Sequence, residues 1–222
     1  MMLDDQILQR AMALGAKRAS ALDVAAIPLD RMFRDVCATN TCGRYGRCYM
    51  CPPDVGDIED LMAKVRAYRR AVLFQTVRPL EDSFDIEGMQ DAAKAHGALC
   101  RALRVACEGM MPEPFLVLGS GGCGRCDPCA KVEHLPCHFP DDALASLEGY
   151  GVNVYQAACN AGLPYINGQN TVTYFGLVLY GQAPGADSEA PETVAEAQGA
   201  DSEAQDAVAE APNAARKSPC QF

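Results

Sequence analysis

Eight of the twelve cysteines in this 222-residue chain fall into two short groups, and this clustering constrains the chain's fold and chemistry more than any other feature. The first group contains Cys37, Cys42, Cys48 and Cys51, and the second contains Cys123, Cys126, Cys129 and Cys137. Thiols so close in sequence either bind a metal centre or form disulfides. The sequence therefore predicts a protein organised around two cysteine-rich loops.

The second group has the more diagnostic spacing. Cys123, Cys126 and Cys129 follow one another in successive CxxC steps, and Cys137 lies eight residues further on. This pattern is typical of ferredoxin-like iron–sulfur sites, in which each thiolate reaches a different iron. The neighbouring glycines allow backbone amides to approach the sulfurs, and Arg125 can offset the negative charge of a thiolate-bound cluster.

The first group is looser, with four, five and two residues between successive cysteines. A proline follows Cys51, as it follows the last ligand of bacterial ferredoxin motifs. Arg44 and Arg47 can balance thiolate charge, although surface exposure without a role is the simpler interpretation for at least one of them. Either site could also borrow a ligand from the other, as in two-cluster ferredoxins.

Zinc remains an alternative at both sites. Structural zinc sites usually use two cysteine pairs separated by a longer insert. His134 and His138 also permit a site with three cysteines and one histidine near the second group. The simpler interpretation of His138 is a surface residue or a hydrogen-bond donor to a ligand.

Charge and hydropathy exclude several classes of function. The net charge is −10, and no basic footprint for nucleic acid is present. The N-terminus lacks the pattern of a signal peptide, and no apolar run approaches the length that spans a bilayer. We therefore expect a cytoplasmic protein without a membrane or nucleic-acid partner, whose clustered thiols are metal ligands rather than disulfides.

Apolar periodicity predicts a series of helices and strands. Helices are expected over 2–17, 30–36, 57–69, 84–110 and 141–149, with Asp57 as an N-cap and a further helical turn reaching Ala161. Strands are expected over 20–27, 71–77, 114–118, 152–155 and 171–180. On the longest helix, Cys100, Cys107 and His96 share the apolar face, so they are predicted to be core residues rather than ligands.

The irregular alternation of these elements predicts a mixed α/β (α+β) fold. We expect a single domain over residues 1–181, with a mixed sheet flanked by helices and metal loops at strand ends. Residues 182–222 contain two near copies of an Ala/Glu/Pro-rich segment, with eight acidic residues opposed only by Arg216 and Lys217. Such a composition buries too little apolar surface to offset ordering entropy, so a disordered acidic tail is predicted.

The motifs resemble those of a predicted metal-binding protein family, domain of unknown function 2284. The resemblance rests on three segments: Cys42-Gly-Arg-Tyr-Gly-Arg-Cys48-Tyr-Met-Cys51-Pro-Pro, Gly122-Cys123 through Cys129, and Cys137-His-Phe-Pro140. It covers most of residues 20–181 and implies metal binding without an assigned activity. The position of Cys48 need not be cysteine in the family pattern, so Cys48 is either an additional ligand or a bystander.

Three functional hypotheses follow. The first is a protein with one or two 4Fe-4S clusters, used in electron transfer with a redox partner or as an accessory to a redox enzyme. The second is a zinc-stabilised interaction module. The third is an enzyme with an open iron at the first site, which requires Cys37, Cys42 and Cys51 to act without Cys48.

Overall fold

The computed structural model describes residues 2–111 and 114–182, and the acidic segment predicted as a tail lies outside this range apart from Gln182. The described chain contains five α-helices: α1 (Leu3–Ala13), α2 (Met32–Ala38), α3 (Ile58–Arg66), α4 (Ile86–Glu108) and α5 (Val154–Asn160). It also contains four strands: β1 (Arg18–Asp23), β2 (Tyr68–Pro79), β3 (Phe115–Leu118) and β4 (Thr171–Gln182). The predicted single-domain α/β class is confirmed.

The four strands form one sheet with the order β1-β2-β4-β3. All three neighbouring pairs are antiparallel, which corrects the predicted mixed sheet in this detail. Because β2 and β3 each pair antiparallel with β4, they run in the same direction, with β4 between them. The long helix α4 connects β2 to β3 and carries the chain back to the end of the sheet where β2 began, as in a crossover connection. The two strands are not neighbours, because β4 lies between them.

Both faces of the sheet are buried, because successive side chains point to opposite sides of a strand. Val72 and Phe74 pack with α1 and α4 on one face. Ala71 and Leu73 pack on the other face with residues of α3, α5 and the segment around Leu147. The sheet is thus the middle layer, and burial on two sides explains why β2 reads as a continuous apolar run.

The longest predicted helix is confirmed as α4. Its residues His96, Cys100 and Cys107 are buried in the core, as their positions on the apolar face predicted. Cys100 and Cys107 are fully buried. The ring of His96 is also buried, with Nδ1 2.9 Å from Thr76 Oγ1 and Nε2 3.0 Å from the carbonyl oxygen of Phe175. A carbonyl oxygen only accepts, so Nε2 carries the proton and Nδ1 accepts from the Thr76 hydroxyl. His96 is therefore a satisfied core histidine, as predicted.

Two local predictions are wrong. Residues 141–149 do not form an α-helix, because the backbone of this segment bonds to the start of the second cysteine loop: the Gly119 amide donates to Ala145, and the Leu147 amide donates to Gly119. Residues 152–155 are not a strand, because the Asn153 side chain accepts from the Gln156 amide and caps α5. Val152 forms only an isolated bridge with Leu29.

The remaining boundaries shift by a few residues. The strand predicted over 20–27 begins at Arg18 and gives way to a 3-10 turn at Val24–Ala26. Asp57 caps α3 as expected, since its carboxylate accepts from the Glu59 amide 2.8 Å away. Within the described residues, no helix is both long enough and apolar enough to cross a membrane.

Candidate metal centre

The second cysteine loop begins where β3 ends and is anchored to the sheet at its start. Gly119 is hydrogen-bonded to Ala145 and Leu147, and the Ser120 hydroxyl donates to the carbonyl oxygen of Phe175 on β4 at 2.9 Å. Arg101 on α4 donates to the carbonyl oxygen of Cys123 at 3.4 Å. The loop thus leaves the sheet from a fixed point, as the predicted placement of a metal loop at a strand end requires.

Glycine shapes this loop at two positions. Gly124 has a φ of +61°, a left-handed conformation that a side chain disfavours. At Gly122, an added Cβ would lie 3.4 Å from Arg44 Cγ and 3.6 Å from Cys51 Sγ. The backbone of the second loop therefore passes directly over the first loop, and the two cysteine groups are neighbours in space.

Five cysteines surround one small cavity of about 20 Å³. They are Cys48, Cys123, Cys126, Cys129 and Cys137. Arg44, Arg125 and Phe139 also contribute to its wall, and no acidic residue does. The four predicted cysteines of the second site are thus together, and they are joined by one from the first motif.

Electrostatic coupling among the thiols is consistent with this grouping. The pKa of Cys126 is raised, first by desolvation and then by the negative charges of Cys129, Cys123 and Cys137. The pKa of Cys48 is lowered to about 5, chiefly by hydrogen bonding from the Cys51 thiol. The amides of Cys123 and Met50 and the thiol of Cys129 contribute further to the lowering, against the effect of burial.

The other three cysteines of the first motif form a separate neighbourhood. Cys37 is on α2, and Cys42 is exposed in the loop that follows α2. Cys51 ends a turn in which its own backbone amide donates to the carbonyl oxygen of Cys48. The pKa of Cys51 is raised by its hydrogen bond to Cys48, by burial and by the charges of Cys48, Cys42 and Cys37. Cys51 therefore lies between the two groups.

Side chains connect the two loops directly. The Tyr49 hydroxyl donates to the carbonyl oxygen of Leu135 at 2.9 Å, and Lys131 Nζ lies 2.5 Å from Asp54 Oδ1. Lys131 also lies over the Tyr49 ring, 5.3 Å from its centroid. Because these contacts flank the 48–51 turn, they hold it against the second loop.

Positive charge accumulates beside the cavity. Arg125 donates to Asp142 at 2.6 Å, and its guanidinium lies 3.9 Å from the centroid of the Phe139 ring. Arg44 forms a long ion pair of 4.0 Å with the exposed Asp127. Arg47, in contrast, is exposed and has no place in the cavity wall. Arg44 and Arg125 are therefore the arginines placed to offset thiolate charge.

The described side chains do not form a compact site for a single ion. Across residues 2–111 and 114–182, no group of three or more His, Cys, Asp or Glu side chains converges closely enough to hold a metal ion. His134 and His138 are exposed, and neither contributes to the cavity wall. The cysteines instead surround a space, and the assignment of all eight as ligands stays a prediction.

Several residues near the cysteines carried no recognisable signal in the sequence. Burial raises the pKa of Cys37, Arg34 opposes this shift, and the charges of Cys42 and Glu148 add to it. Glu148 is itself partly buried, and desolvation raises its pKa. Glu148 is more than a hundred positions from Cys37, so only the folded chain brings them together.

An α/β fold with two adjoining cysteine loops defines a class of cysteine-rich, candidate metal-binding proteins. The chain belongs to the predicted metal-binding protein family (DUF2284), whose pattern matches residues 20–180. This match confirms the family resemblance and the metal-binding prediction.

Other comparisons add little. A search of curated proteins finds no significant match. Among solved structures, the chain is similar to epoxyqueuosine reductase from Bacillus subtilis, with 7% sequence identity and a TM-score of 0.38. The similarity covers 86% of this chain and 50% of that protein, so the chain spans about half the length of the structure that it matches.

Proposed function

We propose that this protein binds one or two 4Fe-4S clusters and serves in electron transfer or as an accessory to a redox enzyme. The observation that carries the proposal is that five cysteines line one cavity, three of them in successive CxxC steps. The second site, built from Cys123, Cys126, Cys129 and Cys137, is the primary one. When bound, the cluster would supply a one-electron redox centre.

The chemistry of the cavity fits such a cluster better than it fits zinc. Structural zinc sites usually use two cysteine pairs separated by a longer insert. Three of the cysteines that line this cavity instead follow one another in successive CxxC steps. A cubane distributes its ligands over several irons, and the arginines beside this cavity would offset its negative charge.

The cavity is smaller than a cubane, so its walls must move apart when a cluster binds. Those walls are built from loop residues rather than from the sheet. Metal binding is coupled to folding in such segments, because the free energy of ligation orders the loop. Within the second loop, the fixed start at Gly119 would confine this rearrangement to the residues that follow Gly119.

Exposure of the loop favours electron exchange with a partner protein. Leu135 and Phe139 are 45% and 38% exposed, and both lie within the second loop. Exposed apolar side chains around a redox centre suit a transient docking surface. We therefore propose a redox protein as the partner.

The test is anaerobic purification of the full chain, with measurement of iron, acid-labile sulfide, zinc and the visible spectrum. We expect a brown protein with broad thiolate-to-iron absorption and about four to eight irons per chain, for one or two cubanes. Cys126→Ser should lose one centre's iron, whereas Cys107→Ala, which alters a buried core thiol on α4, should retain all of it. A colourless protein with stoichiometric zinc would refute the proposal.

A further inference from the structure

A groove of about 490 Å³ lies beside the point where the described chain ends. Arg66 and Arg69 line it, together with four apolar residues of the segment after β1: Val24, Ala25, Ile27 and Leu29. Both arginines are exposed, and neither side chain forms a hydrogen bond or an ion pair with any residue in 2–111 or 114–182. Asp23, the acidic residue in the groove wall, already pairs with Arg70 at 2.7 Å. The groove therefore presents two uncompensated positive charges next to an apolar surface.

The chain passes this groove as it leaves the sheet. Gln182, the last residue of β4, pairs with Tyr68, which also lines the groove. The acidic segment, residues 183–222, follows directly and carries eight acidic and two basic side chains. Its first carboxylates belong to Asp187 and Glu189, which an extended chain places at most about 17–25 Å beyond the end of β4. These carboxylates can therefore reach both arginines.

Cys159 supplies a second point of attachment. It is the penultimate residue of α5 and is disulfide-bonded, whereas ten other cysteines have free thiols. The sequence contains twelve cysteines, so Cys220 is the one left to pair with it. The end of α5 adjoins the groove, because the Asn160 side chain donates to the carbonyl oxygen of Ala26 at 2.8 Å, between two residues of the groove wall.

The acidic segment is long enough for both contacts. Cys220 lies 38 positions beyond Gln182, and a flexible chain of this length has a root-mean-square end-to-end distance of about 31–37 Å. A domain of about 180 residues has a radius of gyration of only about 16 Å. Cys220 therefore reaches the end of α5 without stretching the segment.

We propose that the acidic segment docks across this groove, with Asp187 and Glu189 on Arg66 and Arg69 and with its far end fastened by a Cys159–Cys220 disulfide. A segment without a core of its own binds in this way because the folded surface supplies its partners. The covalent connection at Gln182 raises the local concentration of the carboxylates, so weak ion pairs suffice. The proposal does not depend on which metal the cysteine loops bind.

The disulfide needs an oxidant, and glutathione disulfide is sufficient. One cysteine thiolate attacks a sulfur of glutathione disulfide, forms a mixed disulfide and displaces one glutathione thiolate. The second cysteine thiolate attacks the protein sulfur of the mixed disulfide and displaces the other glutathione. Two electrons thus pass from the cysteine pair to glutathione, and the two protons that the cysteines release are taken up by the glutathione thiolates.

The experiment equilibrates the full chain without oxygen in glutathione buffers of known composition at low salt. Thiols are then alkylated, and mass spectrometry of proteolytic peptides measures the fraction of chains that carry the Cys159–Cys220 link. The ratio of linked to unlinked chains, multiplied by the squared glutathione concentration and divided by that of glutathione disulfide, is the effective concentration of the two thiols. We expect the link to form, and its absence at every glutathione ratio would overturn the disulfide.

Charge neutralisation tests the groove. We expect the double variant Arg66→Gln/Arg69→Gln to lower the effective concentration by about three- to tenfold, as for the loss of two exposed ion pairs, and salt at about 0.5 M to abolish this difference. Both arginines are exposed, so the core is unaffected. Arg78→Gln is the matched control, because Arg78 is also exposed on β2 but does not line the groove, and it should change nothing.

Neutralising the segment tests the pairing itself. Asp187→Asn/Glu189→Gln should lower the effective concentration as much as the arginine double variant does. Combining all four substitutions should lower it no further, because the same contacts are lost from either side. An effective concentration that the arginine substitutions leave unchanged, or losses that multiply in the combined variant, would overturn docking in this groove.

Discussion

The buried histidine of α4 predicts a specific loss of stability in acid. Burial lowers the pKa of His96 from 6.5 to about 4, although its bond to the carbonyl oxygen of Phe175 opposes the shift. The unfolded chain therefore binds a proton more readily than the folded chain. The stability that the neutral ring contributes is complete above pH 6.5 and is lost as the pH falls towards 4.

The magnitude follows from the two pKa values. Protonation linkage predicts that the free energy of unfolding decreases by about 2 kcal/mol from pH 8 to pH 5 because of His96 alone. Its neighbours add little to this change, because burial raises the pKa of Cys100 to about 12 and the Thr76 hydroxyl does not titrate. The effect is therefore attributable to one ring.

The assay is urea-induced unfolding of wild type and His96→Gln at both pH values. Glutamine does not reproduce the packing and both hydrogen bonds of the ring, so the variant should be less stable than wild type at pH 8. Because glutamine does not titrate, this deficit should shrink by about 2 kcal/mol at pH 5. Subtracting the variant from wild type cancels the titration of every other group. If the difference in unfolding free energy between wild type and variant is the same at pH 8 and pH 5, the reasoning is refuted. An NMR titration that shows the His96 ring to be charged at pH 6 would also refute it.

Three further predictions concern the scaffold. Gly176→Ala should destabilise the protein by about 1–3 kcal/mol in thermal or urea unfolding, because the new Cβ would lie 2.6 Å from Cε2 of Phe74 on the adjacent strand and closer still to Cζ. Gly97→Ala on α4 is its control: the added methyl meets only the flexible Arg101 side chain, and a destabilisation equal to that of Gly176→Ala would contradict the argument. Asp57→Ala should cost about 1 kcal/mol through loss of the α3 cap, whereas Asp60→Ala, which removes a first-turn carboxylate without a cap bond, should cost less. Asp4→Asn should destabilise by about 1 kcal/mol, because Asp4 accepts from the Tyr180 hydroxyl at 2.6 Å and pairs with Arg70, and no change in unfolding would show that this network contributes nothing.

The long elements were predictable because their patterns are local. α4 repeats its apolar residues with helical period over 23 positions, and β4 is rich in β-branched and aromatic residues. In both cases burial and propensity favour the same structure. The metal-binding character was equally local, since the CxxC steps of the second loop carry their chemistry in their spacing.

The short segments were not predictable, because their structure depends on distant partners. Residues 141–149 read as a helix, yet Gly119 supplies backbone hydrogen bonds to Ala145 and Leu147 that a helix would exclude. Asp142, expected near a helix N-terminus, bonds to Arg125 instead. Such contacts join positions more than fifteen residues apart and leave no periodic trace.

The sequence by itself determined the membership of a predicted metal-binding family, which helices and strands are long, and which cysteines of α4 belong to the core, because each depends on residue type and local spacing. Only the tertiary structure decided how the thiols are grouped. The turn containing Cys48 and Cys51 meets a loop more than seventy positions away. The side chains of Tyr49 and Lys131 hold the two together, and the loops pass close to one another at Gly122. Spacing within one motif cannot report which neighbour a thiol faces, because that is set by packing between loops.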